Sequence, residues 1–338
     1  MKRAIVIVLT ACMSVFVHAQ EHTVSLFRID ARADYQRTYV DKDADSERSG
    51  FTGKNLNLML GGDISDRFSY FWRQKLNKTS LDAGFFNATD RLYLDYKIDD
   101  KLTFRAGKQT IAIGGYEYDK STIDLYFYSE YFSNISCYAW GASLLYDPSD
   151  CDNLLFQAGE SMFNQFYDRH FDLYNYNVLW CGSHGPWGAL WSVNLMEWAK
   201  NRYITHIAIG NQFSFSDRLR LKIDYINRAT AHQTFFFSDC SLIGELCFQP
   251  TQRLNLFAKT TYDVNRNTEG DLLVRPGTEI TSLGGGLEYF PLGDERVRLH
   301  ANYSYAFGTN ANTNGLLCDR LSAFDMGVTW RVNIINRK

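Results

Sequence analysis

Residues 218–228 read RLRLKIDYINR, and their polarity alternates almost without error. Leu219, Leu221, Ile223 and Tyr225 fall on one side of an extended chain; Arg218, Arg220, Lys222 and Asp224 fall on the other. Strand side chains point to opposite faces with a period of two, so one face is hydrocarbon and the other a row of ions. The same grammar recurs in SLFRIDARADY (25–35), RFSYFWRQKL (67–76), RLYLDYKI (91–98), RLNLFAKTTYD (253–263) and RVRLHANYSY (296–305). Read along the chain, it gives about 16 strands of about ten residues, the length of tilted membrane strands.

The connections alternate as well. Short, turn-rich links occur at GGDISD (61–66), DDK (99–101), DPSDCD (147–152), GSHGPWG (182–188), SFSD (214–217), QPTQ (249–252) and PLGDE (291–295). Longer polar stretches lie near 40–50, 77–90, 109–136, 163–172, 229–239, 264–278 and 307–320, and only AKNR (199–202) is short where a long link is due. Short periplasmic turns on one rim and long outer loops on the other describe an all-β, transmembrane antiparallel β-barrel. A closed barrel satisfies every backbone group without a membrane helix, which accommodates a mean hydropathy of −0.29. A secreted sandwich or propeller has the same strand period. Against it stand the short–long alternation and the aromatics at strand ends, which suit an interfacial girdle: Tyr70-Phe71-Trp72, Tyr93/Tyr96, Trp187/Trp191, Tyr303/Tyr305 and Trp330.

Lys2 and Arg3 precede the apolar run AIVIVLTACMSVFV and then VHA, a secretory plan with cleavage after Ala19. LTAC at 9–12 offers a competing lipoprotein box with Cys12 as acceptor. The expected organisation is a leader at 1–19 and one barrel at 20–338 in the bacterial outer membrane. Removing Lys2 and Arg3 takes 35 basic residues to 33 against 38 acidic, a net charge of −5. With no basic tail or basic helix, nucleic acid is not an expected partner; membrane lipid is. The remaining cysteines, Cys137, Cys151, Cys181, Cys240, Cys247 and Cys318, have no zinc spacing, and no metal or cofactor is expected.

Sixteen strands leave an aqueous lumen. The clearest strands put basic residues on the polar face at Arg28, Arg32, Arg67, Arg73, Lys75, Arg91, Lys97, Arg105, Arg218, Arg220, Lys222, Arg253, Lys259, Arg296 and Arg298. Acidic residues there are fewer: Asp30, Asp34, Asp95, Asp224 and Asp263. Arg218, Arg220 and Lys222 with Arg253, Lys259, Arg296 and Arg298 are expected to form a positive wall. Such a lining favours anions by replacing part of their lost hydration. The longest connection, 109–136, is expected to fold inward and constrict the bore with Lys108, Glu117, Asp119, Lys120, Asp124 and Glu130. Ser121-x-x-Asp124 predicts a capped short helix within 121–132.

The stretch RLYLDYKIDDKLTFRAGKQTIAIGGYEYD (91–119) resembles the phosphate-selective porin O/P family, in which a strand–turn–strand leads into a long third loop. The layout agrees over most of 24–332. The resemblance implies a sixteen-stranded, trimeric outer-membrane channel. Its arginine- and lysine-rich filter does not carry over residue by residue, because this loop offers mainly Lys108 and Lys120. The final strand SAFDMGVTWRV is expected to end at Val332.

Catalysis finds little support. Cys181 and His184 are close in sequence, but Gly-Pro context there reads as a turn. The expected function is therefore a non-enzymatic channel for passive diffusion of small hydrophilic solutes, leaning toward anions with phosphate among them. The alternative is a barrel whose loops recognise a surface polysaccharide, with FFF (235–237) and YFY (126–128) as stacking residues.

Overall fold

The computed structural model describes residues 23–41, 47–78, 84–167, 172–312 and 317–337. The leader expected at 1–19 and part of the polar stretch near 40–50 lie outside them. Eight strands make up the first half: β1 (Leu26–Val40), β2 (Arg48–Asp63), β3 (Phe68–Lys75), β4 (Thr89–Lys97), β5 (Leu102–Thr110), β6 (Tyr138–Ser149), β7 (Asp152–Glu160) and β8 (Tyr174–His184). The second half holds β9 (Trp187–Ala199), β10 (Arg202–Ser216), β11 (Leu219–Thr230), β12 (Asp239–Thr251), β13 (Leu254–Asn265), β14 (Glu279–Tyr289), β15 (Val297–Thr309) and β16 (Leu321–Asn336). Each strand pairs antiparallel with its neighbour in sequence, and β1 closes the ring on β16 with Ala31 opposite Trp330.

Alternation sets which residue faces where. On β11, Ile223 is 37% exposed on the outer wall while Asp224 beside it is 2% exposed within. Leu94, Phe104, Phe156, Val193, Leu246, Leu283 and Tyr303 continue the exposed apolar wall around the ring. Closure leaves no free sheet edge, so the ladder satisfies the backbone in hydrocarbon. Two girdle aromatics depart from expectation. Phe71 and Tyr93 pair across β3 and β4 with their rings stacked at 5.7 Å. They share the inner face with Arg73 and Arg91, and Arg105 lies over the Tyr93 ring.

The strands run farther than the sequence grammar showed. β16 continues four residues past Val332, and β8 and β9 leave only Gly185 and Pro186 between them. The short AKNR link is a tight turn in which Asn201 takes a left-handed φ of 59°, tolerated by asparagine because its amide can bond locally.

Much of the barrel's interior is filled on one side. The connections after β5, β7 and β13 fold inward and bring Ile111, Tyr131, Phe163, Leu173 and Leu273 against Met196, Ile204 and Ile226 of the wall. This is an oily core inside a polar cylinder. Each fully buried side chain of this size contributes about 1.5–3 kcal/mol, enough to hold irregular backbone in place. Arg228 reinforces it: its Nε donates to Asp239 at 3.0 Å and to Asp271 at 2.6 Å, and all three side chains are buried.

Candidate functional site

The long connection after β5 begins as a continuation of the wall and then turns into the bore. Gly114 and Gly115 make that turn possible. Gly115 has φ 101°, and a Cβ on Gly210 of β10 would lie 2.8 Å from the Gly115 Cα. Only bare backbones can approach so closely. The inner wall then fixes the segment by its polar groups. Gln157 accepts from the Ala112 N–H, Ser192 from the Gly114 N–H, and Asn194 donates to the Ala112 carbonyl.

Three short helical turns follow: α2 (Tyr116–Asp119), a 3-10 turn at Thr122–Asp124 and α3 (Glu130–Asn134). Both oxygens of Asp224 accept at the start of α2, from the N–H groups of Tyr116 and Glu117 at 2.8 Å each. Asp263 does the same for Glu130 and Tyr131 at the start of α3. Two acids on the wall thus satisfy backbone donors that a helix start leaves unpaired. The helix predicted from Ser121 is displaced. Ser129 is the cap, accepting from the Phe132 N–H, whereas the Ser121 hydroxyl is taken by Arg73.

The same segment reaches nearly all round the ring. Lys259 meets Glu117 at 2.6 Å, Lys120 meets Glu245 at 3.1 Å, and Asp124 sits between Arg298 at 2.7 Å and Arg331 at 2.5 Å. Arg32 donates to the Ile123 and Leu125 carbonyls, while Asn55 and Arg73 hold Thr122 and Ser121. Of the residues predicted for the constriction, Glu117, Lys120 and Asp124 are in contacts of this kind, the Glu130 carboxylate accepts from Asn134 and Asn312, and Asp119 is exposed. Lys108 is a correction: it lies on β5 opposite Trp140 on the outer wall, and its Nζ donates to the Phe86 carbonyl.

The predicted wall is likewise redistributed. Arg28, Arg32, Arg73, Lys75, Arg105, Arg220, Lys222, Lys259 and Arg298 occupy the inner face. Arg218, Arg253 and Arg296 do not; they sit in the turns before β11, β13 and β15, where Arg296 folds back on Asp294. Turn residues satisfy the same spacing as strand residues, which is why alternation alone misplaced them. Many inner cations are neutralised on the spot: Arg28 by Asp30, Arg32 by Asp34, Arg105 by Asp95, and Lys222 by Glu245 at a looser 3.9 Å.

Positive charge is left over in one sector. Arg73 stands opposite Arg91, with Lys75 beside them, and a bulge between Arg73 and Gln74 admits Asp90 as the counter-ion of Arg73 and Lys75. The Nε groups of Arg73 and Arg91 have no hydrogen-bond partner. They border a cavity of about 180 Å³ that also touches Arg105, Lys120 and Ser121. A larger space of about 850 Å³ opens toward the long-loop rim between Gln36, Lys54, Asn55 and Tyr128. The segment around Ser121 and Thr122 stands between the two.

Sequence reasoning missed Arg331, Arg228 and the amide row Gln157, Asn177 and Asn194. Arg331 was legible from Trp330-Arg331-Val332, where only the middle residue is polar. The amides carry no charge to mark them.

Of the aromatic runs proposed for sugar stacking, 126–128 packs inside the bore, whereas Phe236 and Phe237 stay exposed. Tyr126 is stacked on Phe257 and capped by Arg32, and Phe237 packs on Tyr225 of the outer wall. The Cys181–His184 pair weighed for catalysis is split by alternation. Cys181 lies on the inner face, while His184 packs with Trp187 and bonds Asp152 at 3.1 Å.

Apolar outside, ionic inside, sealed on itself and crossed by an infolded third loop, the molecule is an outer-membrane porin. Residues 27–186 match the family described as phosphate-selective porin O and P. No curated protein sequence matches it. Solved barrels resemble it in shape. An anion-selective porin from Comamonas acidovorans has 11% identity and a TM-score of 0.66, covering 92% of this chain and all (100%) of its own. The channel DcaP of Acinetobacter baumannii gives 11% and 0.64, covering 91% and 97%. OmpT of Vibrio cholerae gives 12% and 0.61, covering 94% and 99%.

Proposed function

We propose that the protein passes small hydrophilic solutes by passive diffusion, with a preference for anions set by Arg73, Arg91 and Lys75. The surplus charge of this sector carries the reading. Elsewhere on the inner face Arg28, Arg32, Arg105, Lys222, Lys259 and Arg298 are each paired with a carboxylate. Asp90 alone serves both Arg73 and Lys75 here, Arg91 has no ion pair among the described residues, and the Nε groups of Arg73 and Arg91 make no hydrogen bond. An anion beside Ser121 and Thr122 would regain hydrogen bonds lost with its water. The infolded segment would act as the constriction, with Asp119 moderating the positive field.

Export through the 1–19 leader and assembly as a homotrimer belong to the same proposal; OmpT has been solved in a trimer form. Phosphate is one candidate solute, on the strength of the family's description.

The zero-current potential of the purified protein in a planar bilayer under a salt gradient tests this. An anion-selective sign is expected, and Arg73→Gln with Arg91→Gln should bring it toward zero. A cation-selective wild type would overturn the reading. Phosphate added to chloride should reduce the current if phosphate dwells at this sector.

A further inference from the structure

The connection between β3 and β4 does something different from the infolded loops: its last turn lies on the outside of the barrel. The turn α1 (Phe85–Ala88) is held there by its carbonyls. Gln74 Nε2 and Thr89 Oγ1 donate to the Phe85 carbonyl at 3.5 and 3.1 Å, and Lys108 Nζ donates to the Phe86 carbonyl at 2.7 Å. Aromatic contacts complete the seat. Phe85 packs on Trp72 and Phe86 on Trp140, both outer-wall residues. Phe85 and Phe86 remain 52% and 54% exposed.

Lys108 differs from several cations of this rim. Arg202, Arg266 and Arg320 each pair with a carboxylate, Glu269, Glu279 and Asp41 respectively. Among the described residues no carboxylate pairs with Lys108, whose polar contact is a neutral carbonyl. Glu160 and Asp90 lie within electrostatic reach but not at ion-pair distance, and Lys78 on the same connection adds positive charge. An ammonium donates three hydrogen bonds. Two are therefore left for a group arriving from outside, on a wall that otherwise meets lipid.

The position supplies the partner. Lys108 is two residues from the end of β5 on the long-loop side, the rim that faces the outer leaflet. A lysine on the lipid face costs little near that interface and attracts anionic headgroups there. We propose that Lys108, with Lys78 beside it and Phe85, Phe86 and Trp140 as an apolar rest, binds the phosphorylated headgroup of an outer-leaflet glycolipid. The phosphate would take the two remaining ammonium donors, and the acyl chains would lie along Phe104 and Ala106 below. The proposal rests on the outer-membrane placement but not on ion selectivity.

Native mass spectrometry of the full detergent-purified chain, titrated with diphosphoryl lipid A, tests it. Bound lipid is expected for the wild type, with at least fivefold weaker binding for Lys108→Gln and near-complete recovery for Lys108→Arg. The same lipid stripped of phosphate should bind as weakly as lipid A binds the glutamine variant. Equal binding by that stripped lipid, or unaltered binding by Lys108→Gln, would overturn the proposal. So would displacement of lipid A by excess inorganic phosphate, which would make this a free-anion site. Dissociation of oligomers in Lys108→Gln with lipid binding intact would assign the face to a second copy and also overturn it. Single-channel conductance should be unchanged in Lys108→Gln; its loss would place the ammonium in the lumen and refute the assignment.

Discussion

Lys259 and Glu117 meet at 2.6 Å with both side chains 3% exposed, which makes them a sensitive pair inside the bore. Removing one partner leaves a buried charge without compensation, at a cost of about 3–5 kcal/mol. Lys259→Met should therefore release the segment 111–137 to protease in detergent, and the double variant Lys259→Met with Glu117→Leu should restore much of its resistance. Glu130 offers a pH handle on the same segment. It lies on the connection, not on a spanning strand, and its carboxyl is pushed up to about 7, chiefly by burial and further by Asp263. A raised carboxyl favours the neutral form when packed, so the docked loop is fully stabilised below its ordinary value of 4.5 and loses that help as pH rises through about 7. Cleavage within 111–137 should be faster at pH 8.5 than at pH 5.5, and Glu130→Gln should flatten the difference. An unchanged contrast in that variant would exclude Glu130 as the titrating group.

At the scale of elements, the infolded segment is a short-helix relay whose starts are set by the wall. Asp224 and Asp263 supply what a capping side chain supplies elsewhere, so α2 and α3 need little helix propensity of their own. Gly210→Val tests the docking geometry. Its added atoms would collide with Gly115, whose Cα is already 2.8 Å from an ideal Cβ there. The segment should be displaced into the remaining lumen, and single-channel conductance should change markedly while the wall stays closed. Replacing 116–133 by a short glycine–serine link should raise conductance several-fold; no increase would show that the loop does not limit flow.

For the whole molecule, two layers of stabilisation are nearly independent. The wall is a closed hydrogen-bonded ladder, whereas the infolded loops depend on buried ion pairs and the inner oily core. Variants that free the loop should keep the heat-modifiable gel migration of a folded barrel, measured on outer-membrane fractions. Loss of that migration by Gly210→Val or Lys259→Met would show the layers to be coupled.

Alternation along the chain was enough to determine a sealed barrel, its strand number, the rim bearing long loops, and which of Ile223 or Asp224 meets lipid. The reason is local: a two-residue period binds every side chain to one face once the backbone is extended. What alternation could not give was pairing through space. Arg298 reads in sequence as a free cation on a lumen wall, yet it is matched by Asp124, which lies 174 positions away along the chain. Arg73 and Lys75 read the same way, and only β3–β4 registry gives them a single shared acid and sets Arg91 opposite Arg73. Lys108 faces outward because alternation on β5 puts it on the face of Phe104, with Arg105 and Gln109 on the inner one. Net charge along a strand is a property of sequence; the field a solute meets depends on which charges folding brings together.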